Sequence, residues 1–228
     1  MAPVMLSLDA ELQENPISDP ETLKIPKLSK VVPPQGDTAA LAELAKMLVA
    51  AENPVIICDR VVRTPAGMAR LVELAEVLQC AVIDNAGRMN FPSRHPLNMS
   101  FRRGIIGQAD VVVAMEVNEL WGSLNSFSDR IVRSSRPNYK NGTKIVTLGS
   151  RDLYLKSNYQ DFGRYQDIDL NIAGDAEASL PTLIEQIKAL MDDGKKAAFD
   201  GGRKLLQPIL RLSTRRSPMR RSGGMRAQ

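Results

Sequence analysis

The chain has 228 residues, of which 43% are hydrophobic and only 4% aromatic, so one good-sized and mostly aliphatic core with appended segments is expected. No apolar run approaches the roughly 18 residues that span a bilayer, and no basic segment precedes an apolar stretch at the start. The chain therefore reads as cytoplasmic, without a signal peptide or a membrane partner. Its formal charge of +4 comes from Arg211, Arg215, Arg216, Arg220, Arg221 and Arg226; without them 24 basic residues face 26 acidic ones, which argues against a nucleic-acid partner.

Pro3-Val4-Met5-Leu6-Ser7-Leu8 reads as a short strand, followed by Asp9 to Gln13. Pro16, Pro20, Pro26, Pro33 and Pro34 then crowd the stretch from Asn15 to Gln35. Such density prevents a continuous helix or a central strand. Residues 1–36 are thus expected to be the end of a preceding domain and a proline-rich linker. Asp37 is a plausible N-cap, and Ala40, Leu41, Leu44, Ala45 and Leu48 fall at helical spacing up to Glu52-Asn53. Val55 to Cys58 is the first strand of the main sheet. Thr64 with Pro65 behind it starts a second helix, whose apolar face is Met68, Leu71, Leu74, Ala75 and Leu78. Cys80 to Ile83 is the next strand.

Asp84 to Phe101 is irregular, with Gly87, Pro92 and Pro96. A short helical segment over Arg103 to Gln108 leads to a strand over Val111 to Met115 and a loop over Glu116 to Trp121. Ser123 to Ser135 is expected to be partly helical, and Pro137 to Gly142 a turn. Lys144 to Leu148 is a further strand, and Asp169 to Ile172 a short or edge strand. Gly174-Asp175 opens a helix with Leu180, Leu183, Ile184, Ile187 and Leu190 inside. A looser helix is expected over Lys195 to Leu206, followed by a basic tail. Apolar runs without polar alternation are strands buried on both faces, which implies a parallel sheet. Their alternation with helices is the βαβ pattern of an α/β fold. Residues 37–192 are expected to form this Rossmann-like, three-layer domain, and 193–228 a helical extension with the basic tail.

In such a sheet, ligands bind outside the carboxyl ends of the strands. The candidates there are Asp59, Arg60, Gly87 and Asn118, with Leu148-Gly149-Ser150. The turn Cys58-Asp59-Arg60-Val61-Val62 has no glycine, although a nucleotide-binding sheet uses glycines there to bring amides close to phosphate. Arg60 could pair with phosphate, or make a surface contact. His95, the single histidine, stands between two prolines with no Cys or Glu cluster beside it, so a structural hydrogen-bonding role is expected. Arg88, Asn90 and Arg94 are expected to touch a neighbouring domain or subunit, and Trp121 to pack on the core. Cys58 and Cys80 each lie in an apolar run and read as buried free thiols. No catalytic residue and no metal site are identified.

Four stretches carry a resemblance. Pro3 to Gln13 is similar to the last strand of one domain and the linker after it. Ala50-Ala51-Glu52-Asn53-Pro54-Val55-Ile56-Ile57 resembles the start of a middle domain. Phe91-Pro92-Ser93-Arg94-His95-Pro96-Leu97 resembles an FP-x-x-HPL turn. Ala109 to Ala114 resembles an ADVVL strand. Together they resemble the middle domain of thiamine-pyrophosphate-dependent enzymes of the acetolactate synthase, benzaldehyde lyase and pyruvate oxidase type. The resemblance implies a mainly parallel sheet of about six strands. It also implies that thiamine pyrophosphate and magnesium belong to two other domains, one with a catalytic glutamate and one with a Gly-Asp-Gly motif. This sequence has Gly36-Asp37-Thr38 and Gly174-Asp175-Ala176 but no Gly-Asp-Gly. The expectation is a structural domain, not catalytic alone and without a cofactor of its own. Its partners would be those two domains or subunits, in a homo-oligomer whose reaction is carboligation or decarboxylation of 2-keto acids. The alternative is a stand-alone Rossmann-like protein that binds FAD, ADP or NAD.

Overall fold

Five aliphatic strands build the sheet around which the rest is arranged. The computed structural model describes residues 5–17, 19–127, 134–150 and 164–191. By internal contacts the chain divides into two units, Met1–Val32 and Pro33–Gln228, each taken by itself.

In the first unit, helix α1 (Ala10–Glu14) is capped by Asp9, whose carboxylate accepts from the Glu11 amide at 2.8 Å. A 3₁₀ turn over Pro20–Thr22 is capped by Asp19 in the same way. The strand expected at the start of the chain does not form over Met5 to Leu8, and Pro3 and Val4 lie outside the described residues. The reason is that a strand needs a partner ladder, and none pairs with this segment among the described residues. Met5 and Leu6 are 91% and 79% exposed.

In the second unit, α2 (Thr38–Ala50) starts at the Asp37 cap and leads into β1 (Pro54–Cys58). Helix α3 (Pro65–Leu78) starts at Thr64, whose hydroxyl accepts from the Gly67 amide at 3.0 Å, and precedes β2 (Ala81–Asp84). After a 3₁₀ turn over Arg103–Gln108 come β3 (Val111–Met115) and α4 (Leu120–Leu124). Strands β4 (Asn125–Phe127) and β5 (Ser135–Pro137) form a small antiparallel ribbon. Strand β6 (Lys144–Gly149), edge strand β7 (Leu170–Ala173) and α5 (Ala176–Leu190) complete the unit.

The main sheet runs β2-β1-β3-β6-β7, with every pairing parallel. It has five strands where about six were expected. β1 and β3 are buried at every position, so nonpolar residues cover both faces. Helix α5 packs against both α2 and α3 on one side. The outer edge of β2 is not free: Leu97 and Met99 exchange backbone bonds with Val82 at 2.9 and 2.7 Å, so the FP-x-x-HPL loop serves as a partial strand there.

The helical reading of Ser123 to Ser135 holds only as far as Leu124, after which Asn125 to Phe127 is extended and pairs with β5. Residues 128–133, the expected helix over Lys195 to Leu206 and the basic tail lie outside the described residues. Pro34 and Gly36, on the linker side of Asp37, are held to the end of the sheet. The Asp175 amide donates to Pro34 O at 2.8 Å, and the Gly36 amide donates to Ser179 Oγ at 2.9 Å. A side chain on Gly174 would collide with the backbone of Gln35 and Gly36, so glycine there permits the two chains to meet.

Proteolysis tests the first unit. Lys24, Lys27 and Lys30 lie in an exposed stretch without helix or strand. Within the described residues, trypsin is expected to cut after one of these three lysines before any site between Asp37 and Met191. An earlier cut inside Val55 to Met115 would show that the sheet is the weaker part.

Candidate functional site

The strand order reverses between β1 and β3, since β2 lies on one side of β1 and β3 on the other. In an open parallel sheet, that reversal opens a crevice above the strand ends. Here Asp59 closes it. Its backbone amide donates to Met115 O at 3.2 Å, and its Oδ2 accepts from the Asn118 amide at 3.2 Å. Asp59 is only 8% exposed. Gly87 comes from the loop after β2 and lies against the same carboxylate: a Cβ there would overlap Asp59 Oδ1 and meet Arg60 Cγ at 3.0 Å. Asp59, Gly87 and Asn118 therefore meet at one point. Arg60 stands at the rim with its side chain exposed and its amide on Glu116 O at 3.4 Å.

A second carboxylate fills the neighbouring gap. Glu116 follows β3 with a left-handed φ of 49°, which costs a residue with a side chain about 1 kcal/mol. Its Oε1 accepts from the amides of Ser150 and Ala176, both at 3.1 Å. Its Oε2 accepts from the Ser150 hydroxyl at 3.1 Å. One side chain thus joins the ends of β3 and β6 to the start of α5. Burial pushes the Glu116 carboxyl above the usual range; the three donors counter this in part, and the Asp175 charge adds to it.

At the start of α5, Asp175 caps the helix through the Ala178 amide at 2.8 Å and receives both terminal nitrogens of Arg63. Burial alone would raise this carboxyl, but the Arg63 guanidinium and the Ala178 amide outweigh burial and hold it below the usual range. Glu177 accepts from the Thr64 hydroxyl at 2.6 Å and from the Arg63 amide at the start of α3. The Ser150, Ala176, Ala178 and Arg63 amides and the Arg63 guanidinium, which could greet an anion here, are already bonded to Glu116, Asp175 and Glu177, while Arg60 stays exposed at the rim. Among the described residues, no group of three His, Cys, Asp or Glu side chains is arranged to hold a metal ion.

The model of the thiamine pyrophosphate enzyme central domain family matches residues 41–183. The chain belongs to that family. Its fold is similar to a Mycobacterium smegmatis enzyme described as thiamin diphosphate-dependent, with 21% identity over 70% of this chain and a TM-score of 0.52. It is also similar to the benzoylformate decarboxylase of Polynucleobacter necessarius, with 17% identity over 72% of this chain and a TM-score of 0.51. The chain spans 30% of the length of each of these structures. At such identities the likeness shows the fold. No curated protein matches the chain in sequence.

Within this central domain, other side chains take the roles their surroundings allow. His95 is structural: Leu97 donates its amide to Nδ1 at 3.2 Å, Nε2 faces Glu76 at 3.3 Å, and the ring lies edge-on to Phe91. Cys58 and Cys80 are buried and in no disulfide, and burial raises Cys58 well above the ordinary thiol range, beside Asp84 and Asp59. Trp121 is buried, as expected.

Asn90 corrects an expectation. It does not face a neighbour but is fully buried. Its Oδ1 accepts from the amides of Val61 and Val62 at 3.1 and 3.0 Å, and its Nδ2 reaches Asp59 O, Asp84 Oδ1 and Arg88 O. The loops after β1 and β2 are thus locked together by one amide. Nothing in the local pattern marks it, because the partners that tie it to the loop after β1, Asp59, Val61 and Val62, come from 28 to 31 positions away. Glu116 likewise falls in a stretch that the sequence pattern reads only as loop, and its one local signal is a carboxylate directly after a wholly apolar strand.

Asn90→Ala leaves the Val61 and Val62 amides buried without acceptors. A loss of about 2–4 kcal/mol is expected from urea unfolding, and a loss below about 0.5 kcal/mol would show that water replaces the amide. Glu116 gives a pH signature. Its folded carboxyl holds its proton to higher pH than the unfolded chain does, so its contribution is most favourable below about pH 4.3 and declines as pH rises through the folded value. Urea unfolding of the wild type and Glu116→Gln from pH 4 to 8 should show the difference moving steadily in favour of glutamine. The slope decides, since a constant offset reflects only the altered hydrogen bonds; a flat or opposite slope would place the carboxylate in contact with water.

Proposed function

We propose that this domain is the structural middle module of a thiamine-pyrophosphate-dependent enzyme that carries out carboligation or decarboxylation of 2-keto acids, of the acetolactate synthase-like type. In this reading it packs against the two domains that hold thiamine pyrophosphate and magnesium, within a cytoplasmic homo-oligomer. It performs no catalysis alone and holds no cofactor of its own. The observation that carries the reading is the filled crevice. Where a cofactor's diphosphate would sit, the chain presents Asp59, Glu116, Asp175 and Glu177, each already accepting hydrogen bonds from the protein's own donors. A diphosphate would face four carboxylates and displace internal bonds, and among the described residues no group of three His, Cys, Asp or Glu side chains is arranged to hold magnesium. Asp59, Gly87 and Asn118 shape the surface offered to the neighbouring domains, and Arg60 supplies its exposed charge. The decarboxylase among the similar structures is consistent with the reaction class.

Two measurements on the chain test this. Incubation with thiamine diphosphate, magnesium and either pyruvate or benzaldehyde is expected to yield neither acetolactate nor benzoin, and product would refute the structural role. Calorimetric titration with ADP or FAD is expected to show affinity no better than about millimolar, roughly −4 kcal/mol. Micromolar binding, or a yellow protein, would favour a stand-alone nucleotide-binding protein instead.

A further inference from the structure

At the same end of the sheet, beyond Asn118, one cation is held in a way that the structural role does not require. The Arg164 guanidinium lies 4.8 Å from the centroid of the Trp121 ring and 5.9 Å from that of Phe127. Arg164 is exposed, and no hydrogen bond or ion pair ties it to another described residue. Two features keep it in place. The rings attract the guanidinium charge through their quadrupoles. The backbone behind it is anchored by Gln166, which is 3% exposed, donates to the Tyr139 hydroxyl at 3.0 Å and accepts from Asn125 Nδ2 at 2.9 Å. Asn125 also donates to Trp121 O, so the ring and the arginine share one polar support.

The ring contacts use none of the guanidinium's hydrogen-bonding capacity, and its N–H groups make no hydrogen bond to another described residue. Its N–H groups point outward in the plane, in the fork that fits a carboxylate with two parallel bonds. An arginine already oriented by its neighbours loses less freedom when it makes those bonds than a mobile surface arginine does. Phe127 is 46% exposed, so an apolar surface borders the cation. A carboxylate carrying a flat apolar body would meet the fork with its charge and the ring with its body. A bare anion could use only the first.

We propose that Arg164, Trp121 and Phe127 form a binding site for small aryl carboxylates. The inference stands independently of the middle-module reading, since it requires neither the cofactor nor the other domains.

Trp121 is the only tryptophan in the chain, so its indole N–H gives one assignable signal in a proton–nitrogen correlation spectrum. The full chain is titrated with benzoate, acetate and inorganic phosphate at constant ionic strength. Benzoate is expected to shift this signal saturably with a Kd of about 1–10 mM, and acetate and phosphate to bind at least about tenfold more weakly. Arg164→Gln should abolish the benzoate response, and Arg164→Lys should weaken it because charge remains while the fork is lost. Phe127→Ser should reduce the preference for benzoate over acetate. The proposal is overturned if benzoate produces no saturable shift, if Arg164→Lys binds like the wild type, or if acetate or phosphate binds as tightly as benzoate. Tighter binding of a hexaglutamate peptide than of benzoate would also overturn it, by showing a protein-docking site.

Discussion

Glu116 carries a carboxylate into a place that is only 8% open to water. Removing a charge from water is costly unless hydrogen bonds replace the solvent, and here the replacement comes from two separate elements. Ser150 at the end of β6 supplies an amide and a hydroxyl, and Ala176 at the start of α5 supplies another amide. The requirement runs both ways. The charge needs those donors, and the donors, at a strand end and in the first turn of a helix, have no partners of their own in regular secondary structure. The ends of β3, β6 and α5 are therefore fixed relative to one another by a polar contact rather than by apolar packing.

The same logic repeats around this end of the domain. Asp59 bridges the reversal between β1 and β3, and Asp175 and Glu177 tie α5 to the turn before α3 through Arg63 and Thr64. Each is an acid where a cofactor-binding relative of a Rossmann-like sheet would present free amides. The physical consequence is a domain that keeps the parallel sheet but has turned its anion-binding positions inward. That is the form this member of the thiamine pyrophosphate enzyme central domain family takes. Arg164 differs from the other cations of this region because its partners are rings, and rings do not neutralise charge.

Much of the fold was legible as pattern. Val111 to Met115 and Val55 to Cys58 are unbroken aliphatic runs, and a strand buried on both faces needs just that. Asp37, Thr64 and Asp175 each cap a helix where the sequence places them, because capping depends on a side chain and an amide two or three residues away. The short segments were less legible. Met5 to Leu8 has strand composition but no strand partner among the described residues, and Asn125 to Phe127 has little strand composition yet pairs with Ser135 to Pro137. In both cases the deciding factor is the neighbour, which the segment itself does not encode.

What the sequence determined by itself was the parallel α/β class, the order of its main elements and the buried state of its two thiols, because these follow from periodicity and apolar content within a few residues. It also brought Asp59, Gly87 and Asn118 together as strand-end residues, since all follow strands of one sheet. Only the tertiary structure decided what those ends do. Whether Asp59 points into a crevice or closes it, whether Asn90 faces a partner or locks two loops, and where the Glu116 charge finds its donors all depend on groups between 28 and 60 positions apart. Hydrogen bonds act over about 3 Å in space, and that distance has no counterpart along the chain until the strands are laid side by side.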